Sequence, residues 1–205
     1  MGQQVFEVAV YTVTDARQML ERHGQVHRRL AGYPGYVTSV GLRQVDDPQV
    51  FADVVLWQDL ASAQAASTAV RSDETLAWFL SSLGEPRLFG HFTMAADPVE
   101  PVRQIQAAPV VEIASYQPAD DAAHARAHQL LHSVTLPGRH GVHGHVALTG
   151  EDGLVGDLIG WESPQVFEST AQALMTDPQL AAFFTPAQRT LVFALFTRTT
   201  GPVNE

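Results

Sequence analysis

The second half of this chain retraces its first half, and that repetition limits the possible folds more than any other feature. Val5-Phe6-Glu7-Val8-Ala9-Val10-Tyr11 returns as Val110-Val111-Glu112-Ile113-Ala114-Ser115-Tyr116, and Tyr33-Pro34-Gly35 returns as Leu136-Pro137-Gly138. Phe51-Ala52-Asp53-Val54-Val55-Leu56-Trp57 returns as Val155-Gly156-Asp157-Leu158-Ile159-Gly160-Trp161, and Ser72-Asp73 before Leu76 and Phe79 returns as Thr176-Asp177 before Leu180 and Phe183. The matches are collinear, their offsets drifting only from 105 to 103 to 104, which points to duplication. The expected organisation is a first repeat over 1–95, a Pro-rich linker over 96–108 carrying Pro98 and Pro101, a second repeat over 109–200 and a tail over 201–205.

Hydrophobic periodicity changes in the same order in each copy. Residues 5–12 are β-branched and apolar and predict a strand. Asp15 then offers an N-cap to a helix with the stripe Ala16, Met19, Leu20, His23, Val26 and Leu30. Pro34-Gly35 ends it. Strands follow over 36–45 and 51–57, a helix over 60–70, a short helical segment over 74–82 and a strand over 87–94. The second copy predicts strands near 110–116, 140–148, 154–161 and 190–198, with helices near 120–135 and 165–175. A βαββαβ unit is the ferredoxin-like motif, a four-stranded antiparallel sheet with both helices on one face. Two copies can bury their bare sheet faces against each other, so the expected fold class is α+β, an intramolecular pseudo-dimer packed sheet to sheet as a barrel.

Composition narrows the partners. Twelve arginines and no lysine against 22 acidic residues give a net charge of −10, which argues against a nucleic-acid partner. With no lysine there is no Schiff-base chemistry, and with no cysteine there are no thiolate nucleophiles, disulfides or Cys-type metal sites. No signal-like or membrane-spanning stretch is visible, so a cytoplasmic protein with a small-molecule ligand and no membrane partner is expected, with further homodimerisation left open.

The succession strand, helix, Pro-Gly, strand, Asp47-Pro48 turn, strand ending in Trp57, then Gln58-Asp59-Leu60-Ala61-Ser62 resembles the antibiotic-biosynthesis-monooxygenase domain of the dimeric α+β barrel superfamily. Trp161-Glu162-Ser163-Pro164 resembles it more loosely. The resemblance implies a pocket between sheet and helices, a tryptophan (Trp57 or Trp161) against the substrate, and, for its quinone-forming oxygenases, no cofactor. Its haem-degrading members use an Asn on the first strand and a ligating His in the second helical region. Here the sole asparagine is Asn204, and Phe79 and Phe183 stand where that His would be, so haem degradation is disfavoured.

Strand parity sets Asp53 beside Trp57 and Asp157 beside Trp161, and sets Glu7 with Tyr11 and Glu112 with Tyr116. In a cavity these pairs bind a polar group or move a proton; otherwise they form a hydrogen-bonded polar layer. His23, in the first helix stripe, and His91, on the last strand of the first copy where the second has Leu195, are the candidate bases. The catalytic expectation is thus His23, His91, Trp57 and Asp53, with Glu7, Tyr11, Glu112, Tyr116, Asp157 and Trp161 binding substrate, and at most one working site per chain.

Six of nine histidines fall between 124 and 145. His128 and His132 at helical spacing, with His143 and His145 flanking a glycine on a strand, form a candidate metal set. The alternative is a solvated row, because the apolar stripe Ala123, Ala127, Leu130 and Val134 turns His128 to the flank and His132 outward. Three functions stay open: a cofactor-independent oxygenase or related pocket enzyme acting on a small aromatic or polyketide-like molecule, a non-catalytic ligand-binding or assembly module, and a histidine metal site.

Overall fold

A computed structural model describes residues 3–94 and 99–199, with the side chains of 99–101 excluded. The chain forms two compact units, the first comprising residues 1–93 and 196–205 and the second residues 94–195. The expected tail 201–205, including Asn204, lies outside the described residues.

In the first unit the elements run β1 (Val5–Val13), α1 (Ala16–Leu30), β2 (Tyr36–Gln44), β3 (Val50–Trp57), α2 (Leu60–Ser72), α3 (Ala77–Ser82) and β4 (Leu83–Phe92). The sheet order is β4-β1-β3-β2, all antiparallel, the ferredoxin-like order. Asp15 caps α1 by accepting from the Gln18 N–H, and Asp59 caps α2 by accepting from the Ser62 N–H. The sheet face carrying Tyr11, Val55 and Trp57 packs with Met19, Val26 and Leu30 of α1 and Ala63 and Ala66 of α2. Phe6, Val8 and Val10, with the opposite parity, are buried too.

The second unit runs α4 (Val99–Ala107), β5 (Val110–Gln117), α5 (Asp121–Leu130), β6 (Val142–Thr149), β7 (Val155–Trp161), α6 (Pro164–Met175) and β8 (Arg189–Arg198), with strand order β8-β5-β7-β6. The fold is α+β, with the same 4-1-3-2 strand order in each unit. The last residues of β8 belong to the first unit, where Phe196, Thr197 and Arg198 pair with Gln44, Arg43 and Leu42 of β2.

Three expectations need correction. The stretch read as a linker folds from Val99 into α4, and its Ile105, with Ala108 just after its end, packs so closely on β7 that Gly160 has no room for a Cβ. Pro101 sits in the first turn of α4, where a missing N–H costs little, and Pro98 lies outside the described residues. The last strand of the first unit begins at Leu83, not 87, because Leu83 and Pro86 pair with Val13 and Tyr11 across an irregular register. The counterpart of Gly35 is Gly141 rather than Gly138: both have positive φ, their carbonyls accept from Gln58 and Glu162, and a Cβ would strike Ser62 or Val166. Leu131–Thr135 continues α5 as a π-turn, which accommodates the extra residues.

Candidate functional site

Each unit brings a tyrosine, an aspartate and two histidines to one point between sheet and helix. In the first, Tyr11 on β1 donates its O–H to Asp53 Oδ2 at 2.7 Å, and His23 Nε2 lies 2.8 Å from Asp53 Oδ1 and 3.2 Å from the Tyr11 hydroxyl. One helical turn on, His27 Nε2 is also 2.8 Å from Asp53 Oδ1. The outer ring nitrogens meet hydroxyls: His23 Nδ1 is 2.7 Å from Thr199 Oγ1, and His27 Nδ1 is 2.7 Å from Ser39 Oγ. All of the cluster from Tyr11 to Asp53 is buried. Burial pushes the Asp53 carboxyl up, but the charges and contacts of His23 and then His27 outweigh it, leaving it well below the usual carboxylate range.

In the second unit Tyr116 donates to Asp157 Oδ2 at 3.2 Å, and His128 Nε2 and His132 Nε2 each hydrogen-bond Asp157 Oδ1 at 2.6 Å. His124 Nε2 reaches the Tyr116 hydroxyl at 3.0 Å, and His145 Nδ1 reaches His132 Nδ1 at 3.0 Å. Burial, then the nearby His132, lowers His145 to about 4. Asp157 is held low against its burial by His128 and His132. His124, His128, His132 and His145 also border an open cleft of about 800 Å³.

Beside each cluster lies a cavity between sheet and helices. The first unit's, about 370 Å³, is reached by Glu7, Tyr11 and Asp53 among Val26, Leu80, Phe89 and other apolar groups. The second unit's, about 310 Å³, is reached by Glu112, Tyr116 and Asp157 among aromatic and aliphatic walls that include Trp161, Phe167 and Phe183. Glu7 Oε2 accepts from Ser67 Oγ at 2.9 Å and lies 3.2 Å from His91 Nε2. Glu112 is held differently: its Oε2 accepts the Trp161 indole N–H at 2.9 Å, and burial, reinforced by the Asp157 charge, raises its pKa to about 8.

Of the residues expected at a first-unit site, Asp53, Tyr11 and His23 come together, while His91 pairs with Glu7 instead. Trp57 is 0% exposed and packed edge-on against Tyr36 in the core. The solvated row of histidines is also corrected. His124 and His128 are buried while Val134 is 66% exposed, because the helix turns a histidine-bearing face, with Ala127 and Leu131, to the sheet. His143 leaves the metal set and is exposed: it is the extra residue of a β-bulge between Val142 and Gly144, which breaks the alternation that would put it beside His145. In α1, Leu20 is 43% exposed and His27 takes its expected place inside.

His27 is the residue that sequence reasoning missed. The signal was available, since the offset of 105 that relates Tyr11 to Tyr116 also relates His23 to His128 and His27 to His132.

No family model matches this sequence, and no curated protein is similar to it. Solved structures are similar across nearly its full length. An anthrone oxidase-like protein matches at TM-score 0.73 and 14% identity, covering 99% of this chain and 94% of its own. An inferred monooxygenase from Lactobacillus acidophilus NCFM matches at 0.63 and 9%, covering 98% of each chain. An inferred chlorite dismutase matches at 0.65 and 10%, covering 97% and 95%. At these identities the likeness is one of architecture: the chain shares the α+β fold of those structures.

Proposed function

We propose that the protein is an oxygenase-type pocket enzyme that takes a small, largely apolar ring molecule into the second unit's cavity and removes a proton from it through Glu112. The observation that carries this reading is a buried glutamate, Glu112, set with Tyr116 and Asp157 in the wall of a largely apolar cavity and fixed by the Trp161 N–H. Apolar walls with few convergent polar groups are what small-molecule sites look like. A carboxyl with a pKa near 8 is matched to proton transfer near neutral pH in a way an ordinary glutamate is not. The fold of the similar monooxygenase and anthrone oxidase-like structures supports the reaction class.

In this reading the substrate carries an acidic C–H or O–H conjugated to a ring. The Glu112 carboxylate takes that proton, and the delocalised anion is the reductant for O2. Carbon–oxygen bond formation gives a peroxide anion that takes its proton back from Glu112, and the hydroperoxide then loses water, its O–O bond breaking as the remaining hydrogen leaves that carbon, so that a carbonyl is left on the ring. Tyr116, tied to Asp157, orients the substrate's polar edge. The first unit's cavity, where Glu7 is tied to Ser67 and His91, is assigned no chemistry.

The test is oxygen uptake with a panel of anthrones and hydroxynaphthalenes, with no cofactor added. Turnover is expected, rising with pH through about 8 as Glu112 ionises, and Glu112→Gln is expected to lower kcat/KM by roughly 100-fold or more. Full activity in a folded Glu112→Gln variant would overturn the assignment, as would absence of uptake across the panel.

A further inference from the structure

The first unit's histidine cluster has the geometry of a chelate. His23 and His27 project from one face of α1 a turn apart, and their Nε2 atoms lie with an Asp53 oxygen, all three ligand atoms within 4.8 Å of one another. Each imidazole is oriented from behind, His23 by Thr199 and His27 by Ser39, whose hydroxyl in turn lies 2.9 Å from the Tyr36 hydroxyl. Outer-nitrogen contacts of this kind accompany metal-ligating histidines and fix the ring so that the inner nitrogen is presented to the ion. Gly41 of β2 makes the space: a Cβ there would lie 2.6 Å from His27 Nε2 and 2.9 Å from His23 Cε1.

His27 Nε2 is the discriminating atom. The residue is 0% exposed and the nitrogen is 2.8 Å from Asp53 Oδ1, yet it is left without a hydrogen-bond partner. A purely hydrogen-bonded cluster would align the pair, as the second unit does with both His128 and His132 on Asp157. A buried polar atom without a partner is costly, whereas two imidazole nitrogens and a carboxylate oxygen facing one point suit a borderline divalent ion. We infer that His23, His27 and Asp53 form a buried site for one divalent transition-metal ion of the zinc or cobalt type, with the Tyr11 hydroxyl orienting the carboxylate by donating to Asp53 Oδ2 at 2.7 Å. The site is in the opposite unit from Glu112 and stands independently of the oxygenase reading.

The test uses full-length protein without a histidine tag, produced in medium supplemented with Zn2+ or Co2+, its metal content measured by inductively coupled plasma mass spectrometry. Wild type is expected to hold an equivalent per chain that Asp53→Asn and His27→Gln both lose. The exposed His140→Gln should retain it, which separates the site from adventitious binding. Because these variants touch a buried cluster, wild type alone gives a second readout. Refolding from denaturant with Co2+ should produce visible d–d absorption of a low-symmetry four-coordinate ion, and refolding in chelator should lower the unfolding temperature. Wild type without metal after supplementation, or equal metal content in wild type and Asp53→Asn, overturns the site. Neither outcome depends on turnover.

Discussion

The Trp161 indole donates to Glu112 at 2.9 Å, while Trp57, at the matching place in the first unit, buries an indole N–H with no hydrogen-bond partner. The same residue type at the same strand position thus does two different jobs, one orienting a cavity carboxyl and the other filling core.

Glu112 should make stability fall with rising pH. Its folded pKa of about 8 lies above its ordinary 4.5, so the folded state holds a proton that the unfolded state has released. Stability is full below about pH 4.5 and declines until Glu112 is ionised above pH 8, a loss of a few kcal/mol. Urea unfolding from pH 5 to 9 should show this decline in wild type and a flatter profile in Glu112→Gln.

Removing the indole N–H should cost different amounts in the two units. Trp161→Phe deletes the contact that lowers the Glu112 pKa, so the carboxyl should titrate still higher, as read by 13C NMR of labelled glutamate. Trp57→Phe deletes an unpartnered donor and should cost less stability above pH 8 than Trp161→Phe does, because only packing is lost. Denaturant midpoints of the two variants check this.

Gly41→Ala should lower stability by about 1–3 kcal/mol, since the added methyl drives into the enclosed His23 and His27 rings. At the matching position opposite Asp157 the second unit has Ala147, and Ala147→Gly should cost about 0.5–1 kcal/mol through chain entropy alone. Chemical unfolding of both variants separates steric from entropic loss.

Asp53 works with the opposite pH sign. Its folded pKa is depressed, so its stabilisation is present above about pH 4, the ordinary carboxylate value, and is lost as pH falls through the lower folded one. Asp53→Asn should weaken the protein at pH 7, by about 3–5 kcal/mol as for other broken buried pairs, and leave a shallower decline below pH 4. Acid titration followed by circular dichroism reads both effects.

The polar cluster was only partly legible in the residues. Asp53 beside Trp57 and Glu7 beside Tyr11 followed from the two-residue period of a strand, because β1 and β3 are regular there. The same rule failed at His143, where a bulge adds one residue and turns the side chain away from His145. Helical periodicity placed His23 inside but misassigned His128 and His132. A stripe computed from apolar residues cannot anticipate that two imidazoles will be drawn inward by a carboxylate from a strand about 25 to 29 residues away in sequence.

By itself the sequence determined the α+β class and the order of the strands that build each unit, because these depend on local periodicity, capping and turn chemistry that each segment carries with it. Only the tertiary structure decided that His27 joins His23 on Asp53, that Trp57 is core while Trp161 orients Glu112, and that the Pro-rich stretch forms a helix. Those outcomes depend on which long-range neighbours desolvate a group and which leave it room. The near-identical strand motifs around Glu7 and Glu112 do not record that one carboxyl is met by Ser67 and His91 and the other by an indole N–H in a largely apolar wall.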